Sequence, residues 1–98
     1  MKKMRFFIDT HDKKNETFPE KITAKDLEEF YKSYQEACSE ESVISMKIAV
    51  GFEEGRAFCL NIAPDKEAVE RVHQKVGLPF DEITEVTTIS SSDILLNS

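Results

Sequence analysis

Asp9 and His11 stand two residues apart near the start of a 98-residue chain, and Cys59 and His73 lie in its second half. Carboxylate oxygen, imidazole nitrogen and thiolate sulfur are donors for borderline divalent cations such as nickel, zinc and copper. The Asp9-x-His11 spacing puts both side chains on one face of an extended segment. The same residues admit a second chemistry, with His11 or Asp9 as a general base, or with Cys59 as a nucleophile beside His11. Cys59 has no turn or helix terminus to activate it. An ordinary polar sheet face is the third reading, and spacing alone leaves all three open.

The segments that must position these residues alternate between strand and helix periods. Met4, Phe6 and Ile8 alternate with Phe7, Asp9 and His11, which predicts a first strand. Residues 12–22 are polar, contain Pro19 and read as a long loop, either a lid over a site or a solvated connector. Thr23 and Asp26 form a capping-box pattern ahead of Leu27, Phe30, Tyr31, Tyr34 and Cys38 at helical spacing. Ile44, Met46, Ile48 and Val50, then Glu53-Glu54-Gly55, then Phe58, Leu60 and Ile62 describe a β-hairpin. Asp65 caps a second helix with a buried stripe of Val69, Val72, His73 and Val76, ended by Gly77 and Pro79. The β-branched run 83–89 is a last strand, and residues 90–98 form a Ser-rich tail.

This order predicts a single α+β domain over residues 1–98, with a core at 4–89. Its architecture is a ferredoxin-like βαββαβ sandwich with two helices on one face of a four-stranded antiparallel sheet. The first and third strands are then central neighbours, so Asp9 and His11 come near Cys59. If Phe58, Leu60 and Ile62 face the helices, Asp9, His11 and Cys59 face the open side, where Glu85 can join them. His73, on the helix stripe, reads as a structural histidine in a terminal turn, with a supporting or additional ligand role as the alternative. That parity places it opposite His11.

An open face carrying Phe7, Ala49, Ala57 and Cys59 needs a cover. A second copy about a two-fold axis supplies one, giving a dimeric α+β barrel that encloses Asp9, His11 and Cys59, with Ile94, Leu95 and Leu96 reaching toward the partner. Nineteen acidic against thirteen basic side chains leave a formal charge of −6, which disfavours nucleic acid and anionic membranes. No stretch has the length of a membrane span, and no export signal is evident, so a cytoplasmic protein with reduced thiols is expected. Glycine-rich phosphate loops and CxxC pairs are absent from the sequence.

The segment Gly55-Arg56-Ala57-Phe58-Cys59-Leu60, with Ala63-Pro64, Ala68-Val69-Glu70-Arg71-Val72-His73, Gly77-Leu78-Pro79 and Asp81-Glu82-Ile83, resembles a family of small nickel-binding proteins. Members of that family are ferredoxin-like dimers. The resemblance extends over residues 5–86. It implies a dimeric α+β fold and binding of nickel ions, with His11 the first residue carried over and Asp9, Cys59 and His73 also matching. The leading expectation is therefore a metal-binding protein for sequestration or sensing, with nickel, zinc or copper held by His11, Asp9 and Cys59. The alternative is a small dimeric α+β barrel enzyme of monooxygenase or isomerase type, whose sign would be an apolar pocket with His11 at its wall.

Overall fold

The computed structural model describes residues 3–90. Four strands and two α-helices follow one another: β1 (Arg5–Asp12), α1 (Ala24–Glu40), β2 (Ile44–Gly51), β3 (Arg56–Ala63), α2 (Lys66–Val76) and β4 (Glu82–Val86). The strands form one antiparallel sheet in the order β2-β3-β1-β4. This is the expected ferredoxin-like α+β arrangement, with both helices packed on one side.

Local chemistry explains where the helices begin and end. Thr23 Oγ1 accepts from the Asp26 N–H at 3.1 Å, while the Asp26 carboxylate accepts from the Thr23 N–H at 3.0 Å, so two otherwise unpaired donors at the start of α1 are satisfied together. Asp65 caps α2 by accepting from the Ala68 N–H at 2.9 Å. At its far end Gly77 adopts φ +67, and the Gly77 and Leu78 N–H groups return to the Gln74 and His73 carbonyls. This closure needs a residue without a Cβ penalty in the left-handed region. The final strand is shorter than the β-branched run suggested, ending at Val86. Residues 94–96, expected to reach a partner, lie outside the described residues.

The sheet's parity is the reverse of the sequence expectation. Phe7, Asp9 and His11 of β1 and Ala57, Cys59, Asn61 and Ala63 of β3 are all buried on the helix side. Phe6 and Ile8 lie beside Ile62 and Leu60 on the other face, where Phe58 is 41% exposed. Pattern alone could not decide, because both faces are apolar. Two physical facts choose between them. The helix-side residues of β3 are small, which makes room for the Tyr34 and His73 rings. The buried polar groups also satisfy one another: among the described residues, no buried side-chain nitrogen or oxygen lacks a hydrogen-bond partner.

The core joins Phe7, Tyr34, Ala37, Cys38, Val69, Val72 and Ile83. Phe7 is 1% exposed, and full burial of such a side chain contributes roughly 1.5–3 kcal/mol. Within residues 12–22 a 3-10 turn spans Lys13–Asn15, and Thr17 and Phe18 are buried against the body of the protein while residues 13–16 and 19–21 are exposed. Among the described residues no helix is long and apolar enough to cross a membrane.

Candidate metal centre

Antiparallel pairing sets Asp9 opposite Cys59 and His11 opposite Ala57 at the centre of the sheet. Above them α2 presents His73 from its last turn. His11 Nε2 lies 2.7 Å and His73 Nε2 3.1 Å from the same oxygen, Asp9 Oδ1. The two rings stack with centroids 5.5 Å apart. All three residues are buried, and their ligand atoms lie within 4.8 Å of one another.

The other polar atoms of these residues are already committed. His11 Nδ1–H donates to the Pro79 carbonyl at 2.8 Å and the Thr17 carbonyl at 3.2 Å. His73 Nδ1–H donates to the Val69 carbonyl, one turn back in α2, at 2.8 Å. A carbonyl only accepts, so both Nδ1 atoms carry protons and both Nε2 atoms point at Asp9. Asp9 Oδ2 accepts from Asn61 Nδ2 at 2.8 Å, and the Tyr34 hydroxyl donates to Asn61 Oδ1 at 3.2 Å. Thr17 is itself held in place, accepting from the Asp12 N–H at 2.7 Å and donating to Asp81 at 2.6 Å. Backbone carbonyls and an amide thus orient every member of the cluster, as metal-ligating histidines and carboxylates require.

Burial alone would raise the Asp9 pKa, but hydrogen bonds to His11 and His73 and their charge outweigh it and hold the carboxyl below its usual range. Burial likewise opposes protonation of His11, yet Asp9 and the Pro79 and Thr17 carbonyls raise its pKa. The outcome is a carboxylate facing an imidazolium. Removing the proton on His11 Nε2 exposes a lone pair aimed at Asp9 Oδ1, and a divalent cation is the natural replacement for that proton.

Several expected contacts change with the parity. His73, placed opposite His11 by the sequence, is instead in the cluster itself. Cys59 stands beside it, with Sγ 3.8 Å from His11 Nε2. Burial, then the charge of Asp9, pushes its thiol pKa up, so it stays protonated. Glu85 shares the helix side but turns to the sheet edge, where it is half exposed and pairs with Arg5 at 3.1 Å. None of Asp9, His11 and Cys59 lies on the open face. Asn61 and Tyr34 were missed as orienting groups, although a lone amide of Cys59 parity inside an apolar strand is a usable signal for a buried polar partner.

The donor set fits a divalent transition metal. Two imidazole nitrogens and a carboxylate oxygen suit nickel, zinc and copper, and each donor has its supporting hydrogen bond.

The family model described as "Nickel responsive protein SCO4226-like" matches residues 7–86. The crystal structure of SCO4226 from Streptomyces coelicolor A3(2) is similar, with a TM-score of 0.75 and 28% sequence identity over 87% of this chain and 99% of that one. No curated protein sequence matches significantly.

Proposed function

The chain belongs to the SCO4226-like family of nickel responsive proteins, and on that premise we propose that it binds a divalent transition metal, nickel first, for sequestration or sensing. The observation that carries this reading is the convergence of Asp9 Oδ1, His11 Nε2 and His73 Nε2 in a buried cluster whose remaining polar atoms are all engaged. These three residues would hold the ion, with Cys59 adjacent. A bound ion would supply positive charge that replaces a proton and ties β1 to the end of α2. The chain's own part is to keep both imidazoles in the Nδ1–H form, to hold Asp9 ionised and to exclude water from the donors. Zinc and copper compete for the same donors, so selectivity for nickel rests on geometry and supply rather than on donor type.

The decisive experiment is calorimetric titration of metal-stripped protein with nickel and zinc, run beside His11→Ala, His73→Ala and Asp9→Asn. Near-stoichiometric binding to the native chain that is lost in all three variants is expected. Circular dichroism on each variant separates lost binding from lost folding. Absence of binding to the native chain, or binding that survives His11→Ala in a folded variant, would sink the proposal.

The same reading includes a homodimer through the outer sheet face. Support comes from the apolar row of Phe6, Ile8, Phe58, Leu60 and Ile62, which no helix covers among the described residues. With the ligands on the opposite face, each copy carries a whole site of its own.

A further inference from the structure

A cavity of about 350 Å³ opens between α1, the 16–22 loop and the helix side of β2 and β3. Its inner wall includes Ala57, Cys59 and the side of His11, all buried, while Phe18, Leu27, Phe30, Ile48 and Val50 line its sides. Pro19, Glu20, Lys21 and Asp26 are exposed at its mouth. Apart from the His11 ring, which is paired with Asp9, charged side chains lie only at the entrance, where acidic groups outnumber basic ones.

The inside of the cavity has little to hydrogen-bond with. Both nitrogens of His11 are taken up by Asp9, Pro79 and Thr17, and the Thr17 hydroxyl is engaged with Asp12 and Asp81. The Cys59 thiol is a weak donor. Water entering this space finds too few partners to settle, whereas protein interiors are otherwise close-packed. A space over twice as large as a cavity of about 150 Å³ that accepts benzene suits one or two fused rings.

We propose that this cavity is a binding site for a small, uncharged, ring-bearing organic molecule whose apolar end packs against Cys59 and His11 and whose polar substituent lies at the mouth. Occupancy does not depend on the metal reading, since the cluster faces Asp9 and α2 while the cavity lies toward α1 and the loop. It does place an organic ligand against the ring of a proposed metal ligand, and so offers a route by which one occupant senses the other.

Indole is a suitable probe because its size matches and because the chain contains no tryptophan, so indole fluorescence comes from the probe alone. Saturable one-to-one binding to the full chain is expected, with amide NMR shifts at Phe18, Leu27, Ile48 and Cys59. Ile48→Phe and Leu27→Phe, made singly and together, fill the space from opposite walls and should abolish binding. Nickel isotherms and circular dichroism on the same samples read the metal centre and the fold separately. Indole shifts confined to Phe58 and Ile62 on the outer face, binding undiminished by the filled cavity in a folded variant, or no saturable binding would each overturn the site.

Discussion

At the scale of single residues, in the proposed metal centre a proton and a cation would compete for the lone pair on His11 Nε2. Because both Nδ1 atoms are committed to carbonyls, metal uptake must expel a proton from the Nε2 side. Nickel titrations in buffers of different ionisation enthalpy should therefore show net proton release, and affinity should rise with pH through the imidazole range. A heat independent of buffer would refute this. The metal-free protein behaves oppositely. His11 has its pKa raised on folding, so its contribution to stability is full below its ordinary value of 6.5 and is lost as pH rises through the higher folded value. Asp9 has its pKa lowered, so its contribution is present above 3.8 and is lost as pH falls through the lower folded value. Thermal melts of metal-free protein should peak in mildly acidic solution and decline above neutrality, and nickel should remove that decline. Tyr34→Phe deletes the hydroxyl that steadies Asn61 and should cost about 1 kcal/mol in denaturant unfolding, with weaker nickel binding as the readout that marks its orienting role.

At the scale of elements, the helix ends do two jobs. The turn at Gly77 stops α2 and sends the chain back so that Pro79 offers its carbonyl to His11. Gly77→Ala keeps open space around the new methyl but forces it into φ +67, at a cost of roughly 1–2 kcal/mol. Chemical denaturation should show that loss, and an unchanged midpoint would contradict the strain argument. Thr23→Ala removes half of the capping box and should lower stability by about 1 kcal/mol, without touching metal affinity. Both caps were legible in the sequence because they depend on residues within a few positions of one another. The hairpin was equally legible, from alternation and the turn at Gly55. The end of β4 was not, since β-branched residues beyond Val86 find no strand to pair with, and propensity alone cannot supply a partner.

At the scale of the whole molecule, the two faces of the sheet divide the labour. The helix side holds the donors and the outer side holds the apolar row. Sedimentation at micromolar concentration should find a homodimer, and Phe58→Glu or Ile62→Asp should give folded monomers that still bind nickel. Monomers that lose the metal would show that the site is shared between copies, while an unchanged dimer would place the interface elsewhere.

The order of elements, their caps, the ferredoxin-like topology and the meeting of Asp9 and His11 with Cys59 can all be read from the residues, because they follow from local periodicity and from antiparallel register. Which way the sheet faces comes from packing. With Phe6, Ile8 and Ile62 on one side and Phe7, Ala63 and Cys59 on the other, apolar pattern offers two nearly equal choices. The choice falls to the polar residues. On the inner stripe of α2, His73 satisfies its Nδ1 within the helix, but its buried Nε2 meets a hydrogen-bonding partner in Asp9 only when that strand turns this face toward the helices. That single constraint brings His73 into the cluster and frees the hydrophobic face for the outside.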